Sequence, residues 1–242
     1  MAAKNKNAEI WYNILDAALL IPGSKIDREV FLQKEYGNYC RQETLDKILQ
    51  DGSVNTDIEL PLMDKIAADT INYHAAMVTA GSFAAGIPGG LLMAAAIPAD
   101  IVQFYFHIIQ SAQKLAYIYG MTSFEEYGDQ FKSMLTVLIG VMAGIEEANE
   151  TIKEVMEAQF SKKMSKIFSE KTFDKPAAKV AIKIGLGLVG KNIGKSIGKI
   201  LPLIGGVVSG GITLVSFLPM CTNLKNKLHN TIENTPKDLI VR

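Results

Sequence analysis

Cysteine is scarce in this chain: Cys40 and Cys221 stand far apart among 242 residues and form no CxxC pattern. The spacing excludes a zinc ribbon or a thioredoxin-like motif and leads us to expect two reduced thiols in the cytoplasm. Zinc-like Cys/His spacing, a Walker loop and a Gly-x-Ser-x-Gly elbow are all missing, which removes the common nucleotide-binding and hydrolase signatures. Basic residues interleaved with aromatics are missing too, so no nucleic-acid partner is expected. No apolar stretch follows the charges of the first seven residues, so no secretory signal is expected. No internal repeat is visible. Acidic residues are absent between Lys175 and Ile232, a stretch that carries eight lysines.

That last absence makes the zero net charge misleading. Outside the lysine stretch the chain holds 17 basic and 25 acidic residues, so one part is basic and the rest acidic. Such a split points to an electrostatic partner for the basic part or to a contact between the two. Apolar residues make up 48% of the chain, enough at this length for a substantial core. Residues 70–99 contain no charge, but Gly86, Pro88, Gly89 and Gly90 interrupt the run. Two arms of about 15 residues reach roughly 22 Å each, short of the roughly 30 Å hydrocarbon core. A buried helical hairpin or a re-entrant element is expected, not one continuous span.

Nearly every segment reads as helix. Residues 8–20 are amphipathic and close at Pro22-Gly23. Ser24 and Asp27 suggest an N-cap for a second helix ending near Gly37, and a third covers 43–50 before Asp51-Gly52. Pro61 opens a long helix through residue 85, whose partner runs from Leu91 to a C-capping Gly120. Ser123 and Glu126 fit a capping box for a helix including 134–144. Residues 146–168 form a charged helix in which Glu147, Glu150, Glu154 and Glu157 share a solvated face.

The final third changes character. Gly190, Gly194 and Gly198 recur every four residues, as do Lys191, Lys195 and Lys199. On a helix these form a smooth stripe and a basic stripe about 100° apart. The uncharged segment 200–224 follows, containing Gly206, Gly210 and Pro219. Lysines beside an Ile/Leu/Val face suit an interfacial helix on anionic lipid, and glycines at this spacing allow close helix approach. A soluble bundle with the glycines inside and the lysines in water accounts for the same pattern.

Three stretches carry a family resemblance: Ala80-Gly-Ser-Phe-Ala-Ala-Gly86-Ile-Pro-Gly-Gly90 with Ile97-Pro-Ala-Asp100, then Gln113-Lys-Leu-Ala-Tyr-Ile-Tyr119-Gly120, then Leu201-Pro-Leu-Ile-Gly-Gly206 with Gly210-Gly211. In this order they resemble the EcsC family over roughly residues 60–235. The segment Ile26-Asp-Arg-Glu-Val-Phe-Leu32 is similar to the front of small bacterial members. The resemblance implies a bacterial helical protein in a membrane context and supplies no catalytic residue.

The expected architecture is all-α, a multi-helix bundle with a central long hairpin and a Gly-rich C-terminal hairpin. It divides into a helical lead-in over 1–58, a main domain over 59–235 and a short tail. The leading functional expectation is a non-enzymatic protein without cofactor or metal, at the inner face of the cell membrane. It docks on anionic lipid through Lys183, Lys191, Lys195 and Lys199, with a membrane protein or a second copy as further partners. A membrane-perturbing effector and a transporter accessory factor both fit. The alternative is an enzyme or small-ligand binder. Asp100, Gln103 and His107 share one face of the second arm, with His74 level with about Gln103, so that His74, Asp100 and His107 form a polar cluster in an apolar hairpin. Two histidines and one carboxylate make a thin metal set. The Gly86–Gly90 turn offers free amides to an anion, though a tight turn explains the same glycines.

Overall fold

A computed structural model describes residues 5–79, 98–161, 163, 173–189, 210–236 and 240. Within them the chain is all-α: α1 (Lys6–Leu19), α2 (Arg28–Tyr36), α3 (Gln42–Asp51), α4 (Leu60–Thr79), α5 (Ala99–Ile118), α6 (Phe131–Met142), α7 (Glu146–Phe160), α8 (Asp174–Leu188) and α9 (Gly210–Glu233). The turn Gly86–Gly90 and residues Gly190, Lys191, Gly194, Lys195, Gly198, Lys199 and Gly206 lie outside the described residues. α9 begins at Gly210 and continues through Pro219.

Local chemistry sets several boundaries differently from the sequence pattern. Asp27, not Ser24, caps α2 by accepting from the Val30 amide at 3.0 Å. The Ser24 hydroxyl instead donates back to the Leu19 carbonyl at 2.8 Å, closing the end of α1. Ser123 caps a short 3-10 segment (Phe124–Gln130), and Gly128 at φ 48° breaks it before α6 begins. Gly120 ends α5 as expected. With φ 87° there, the amides of Gly120 and Met121 reach the carbonyls of Tyr117 and Ala116 at 3.0 Å, satisfying two carbonyls that the helix leaves open.

The helix α5 is the axis of the bundle. Fifteen of its 20 residues are buried, and α1, α2, α4, α6 and α9 all pack against it. α6 is the second interior helix, covered by α7, α8 and α9. The lead-in joins the same core: α1 packs on α5 and α8, with the Trp11 and Tyr105 rings edge-on at 5.3 Å and the Trp11 indole N–H donating to Thr136 at 3.0 Å.

Contacts along the helices fix their directions. His74 meets His107 while Asp64 meets Tyr119, so α4 and α5 are antiparallel. Phe104 meets Phe217, and Asp64 meets both Tyr119 and His229, so α9 runs with α5. Trp11 lies at Tyr105 and the Gly23 carbonyl at Gln110, so α1 also runs with α5. The end of α8 returns to the start of α1, where Gly185 touches the Asn7 carbonyl. Hence Thr79, Pro98, Val189 and Gly210 all come to one end of the bundle. They flank the two stretches 80–97 and 190–209.

The opposite end is closed by side chains of the lead-in. Arg28, 8% exposed, donates to three main-chain carbonyls: Met121 at 3.0 Å, Leu49 at 2.6 Å and Ile48 at 3.1 Å. Tyr36 and Ser53 both donate to the Ile118 carbonyl, at 3.0 and 2.6 Å. A cation suits these positions because they are the negative ends of α3 and α5. Arg28→Met strands buried acceptors and is expected to cost about 3 kcal/mol of unfolding free energy in denaturant titration. A cost under about 1 kcal/mol would show that the guanidinium does not close this end. Gly185→Ala places a methyl group onto the Asn7 carbonyl and is expected to cost about 1–3 kcal/mol in the same assay.

Candidate functional site

The polar groups of the buried hairpin arms do gather, but not in the expected set. His74 on α4 and His107 on α5 are 1% and 2% exposed, with their Nδ1 atoms 3.3 Å apart. Asp100 does not join them. It is exposed in the first turn of α5, where its charge complements the helix N-terminus. His74 therefore lies level with His107 rather than with Gln103, one turn further along α5 than equal spacing from Pro88-Gly89 implies. The third member is Lys114, whose ammonium is 2.9 Å from His74 Nε2. It is the one charged residue between Ile101 and Met121, and it sits two turns beyond His107 on the same face of α5. That lone charge in an apolar helix was the available signal.

The chemistry of the three groups fixes their hydrogens. An ammonium only donates, so His74 Nε2 accepts, the ring proton sits on Nδ1, and Nδ1 donates to His107 Nδ1. Both rings are therefore neutral. Burial first, then the Lys114 charge, lowers the His74 pKa to about 3. The same causes lower that of His107 to about 4. Burial also lowers Lys114, reinforced by Lys34 and opposed by Glu35. An ammonium fixed against His74 repels a metal ion, and among the described residues no group of three or more His, Cys, Asp or Glu can hold one.

Lys114 opens outward onto a cleft of about 260 Å³ between α2, α4 and α5, lined by Phe31, Lys34, Glu35, Asp69, Thr70, Tyr73 and Lys114. The Phe31 and Tyr73 ring centroids each lie 5.6 Å from its Nζ, within reach of a cation–π contact. Tyr73 is 58% exposed at the mouth.

A second cluster links α4, α5 and α9 and has no local sequence signature. Tyr119 donates to Asp64 Oδ1, His229 Nδ1 lies 3.0 Å from the same carboxylate, and Lys225 is 3.6 Å away. Burial pushes the Asp64 carboxyl up, but bonds from Tyr119 and His229 and the Lys225 charge outweigh it and hold it below the usual range. Burial, and then the bond to Asp64, pushes the Tyr119 phenol well above its ordinary value. The group clamps three helices together, since Asp64 lies on α4, Tyr119 at the end of α5, and Lys225 and His229 on α9.

Among the expected lipid-binding lysines only Lys183 is described, and its ammonium is committed within the fold. It pairs with both oxygens of Glu147 on α7 at 2.6 Å, a partner that the lysine pattern alone did not indicate. Lys175 and Lys179 are exposed. No described helix is long and apolar enough to cross a membrane. No family profile, characterised protein or solved structure matches the chain.

The two histidines make an acid-side prediction. Their folded pKa values lie below the ordinary 6.5, so below pH 6.5 the unfolded chain takes up protons that the folded one refuses. Their contribution is complete above pH 6.5 and is lost as pH falls toward 4, by at most about 1.4 kcal/mol per unit for each ring. A variant with His74→Gln and His107→Gln is expected to show a flatter stability profile over that window. Parallel wild-type and variant profiles would overturn the neutral-pair assignment.

Proposed function

We propose that this is a non-enzymatic, membrane-associated helical protein of the EcsC type that docks on anionic bilayers by one end of its bundle. The supporting observation is topological. The ends flanking residues 80–97 and 190–209, the two uncharged or glycine-and-lysine stretches, come to the same end of the molecule. Two such segments on opposite ends would compete for a surface; on one end they can act together. Val189 and Val215, on the α8 and α9 stems of the second stretch, are 37% and 71% exposed, which adds apolar surface where docking requires it. In this reading Lys191, Lys195 and Lys199 contact lipid headgroups, each contributing about 1 kcal/mol near the surface, and the apolar residues of 200–209 enter the interface; Phe217, Met220, Cys221 and Leu224, expected to do the same, are buried in the bundle instead. A location at the inner face of the cell membrane follows, as effector or transporter accessory factor.

The motifs at 80–90, 97–100, 113–120 and 201–211 support the family assignment within the same proposal. The enzyme reading built on His74, Asp100 and His107 loses its carboxylate, because Asp100 is exposed and apart from the two rings.

Flotation with anionic and neutral liposomes, at low and high salt, tests the proposal. Wild-type protein is expected to float with anionic vesicles. The variant Lys191→Glu, Lys195→Glu, Lys199→Glu is expected to bind them at least about 100-fold more weakly. Equal binding by the two proteins would remove the lysines from the mechanism, and no flotation in any condition would remove membrane docking altogether.

A further inference from the structure

We infer that the cleft between α2, α4 and α5 is a binding site for a small organic carboxylate with an apolar or aromatic body, held by Lys114. The site stands apart from the proposed membrane-docking end and does not depend on that reading.

Lys114 is a cation in an unusual position. Its ammonium is half-buried, and its close contacts are a neutral imidazole nitrogen at 2.9 Å and two aromatic faces at 5.6 Å. Among the described residues no carboxylate forms an ion pair with it. The two acids on the cleft wall are already engaged: Glu35 with Lys34 at 3.5 Å and Asp69 with Lys65 at 3.1 Å. Taking an ammonium out of water without a counter-ion costs free energy, so an arriving carboxylate recovers what the fold leaves uncompensated. The imidazole lone pair occupies one of its three N–H groups and leaves the others for the ligand.

The surrounding residues define the rest of the ligand. Phe31 and Tyr73 flank Lys114 and offer faces to an apolar or aromatic body. At about 260 Å³ the cleft is below the roughly 300–1,000 Å³ of sites for drug-sized molecules, which limits it to a small molecule and to modest affinity. A divalent phosphate would bring a second charge close to Glu35 and Asp69, whereas a carboxylate brings one and can keep it at Lys114. The His74–His107 pair serves as the backing of the site: two neutral rings fix the direction of the ammonium without neutralising it. Bound carboxylate changes the electrostatic field of Lys114 at the His74 ring, 2.9 Å from the ammonium, so the ring proton of His74 should sense the ligand although it does not touch it.

Phenylacetate is a suitable probe, with phenethylammonium as the charge-reversed control and inorganic phosphate as the body-free one. Titration of the intact protein, followed by NMR of the His74 imidazole, is expected to saturate with a Kd on the order of 1 mM for phenylacetate. Neither control should saturate in that range. Lys114→Met should weaken phenylacetate at least about tenfold, and Tyr73→Ala, at an exposed position that the fold tolerates, should weaken it several-fold with the protein demonstrably folded. Absence of saturation, unchanged binding in folded Lys114→Met, or equal binding of phenethylammonium would each overturn the assignment. Saturation by phosphate alone would overturn the apolar body.

Discussion

A helix buried on nearly every face must settle all its polar groups inside the protein, and α5 is such a helix. Unsatisfied groups there cost more than most packing contacts provide, so most polar side chains on it dictate what lies opposite, the buried Tyr105 hydroxyl being an exception without a hydrogen-bond partner among the described residues. Gln113 donates to the Ser24 and Ile109 carbonyls and accepts from the Ile26 amide, pinning the loop between α1 and α2. Tyr117 receives the Phe124 amide and ties down the segment before α6. Tyr119 needs Asp64, and His107 needs His74, which together set the register of α4 at two points more than two turns apart. The placement of these three segments follows from the side chains of one helix and of Tyr119, which caps it.

The ends of α5 are treated unequally, and this gives the bundle a polarity. At the C-terminal end Arg28, Tyr36 and Ser53 supply the donors that its carbonyls lack, and backbone meets backbone where Gly52 abuts Gly120. A cleft of about 510 Å³ beside Arg28 is rimmed by Asp27, Glu29, Asp51, Glu125 and Glu126. The N-terminal end is where the chain departs into its two glycine-rich stretches. On the proposed reading an anionic surface attracts the lysines of one end and repels the carboxylates of the other. The molecule then orients before any apolar residue makes contact, and the acidic excess outside the lysine stretch acquires a physical use.

Periodicity made the all-α class and most helices legible, because a 3.6-residue apolar pattern is a local property. That His74 and His107 belong to one polar cluster was also legible, because His107 shares a face with Gln103, the residue that the Gly86–Gly90 break sets level with His74. Equal spacing from that break sets His74 level with Gln103, one turn short of His107, and so admits Asp100. Lys114 was readable as the one charged residue between Ile101 and Met121. Arg28 was not, because an arginine at the start of a short polar helix has the signature of a solvated residue. Its burial is decided by carbonyls 20 and 93 positions away. Asp64 and His229 are separated by 165 positions, so nothing near either residue marks the pair.

The glycines and the lysines of the last third differ in what they can establish. Glycine at helical spacing signals close approach, and the described bundle already uses it so. A Cβ on Gly140 would overlap Val180 and Ala148, and one on Gly185 would overlap the Asn7 carbonyl. Such contacts arise between any two tightly packed helices, so Gly190, Gly194 and Gly198 are equally compatible with protein and with bilayer surroundings. The lysines discriminate better. Lys183, early in the same stretch, pairs with Glu147 on a neighbouring helix, both side chains staying about one-third exposed. Lys191, Lys195 and Lys199 have no acid anywhere in their own segment, and on a helix, like charges four residues apart repel by about 0.2–0.5 kcal/mol per pair, less in salt. On the proposed reading, a lipid headgroup layer offers these lysines negative charge together with room for the isoleucines beside them.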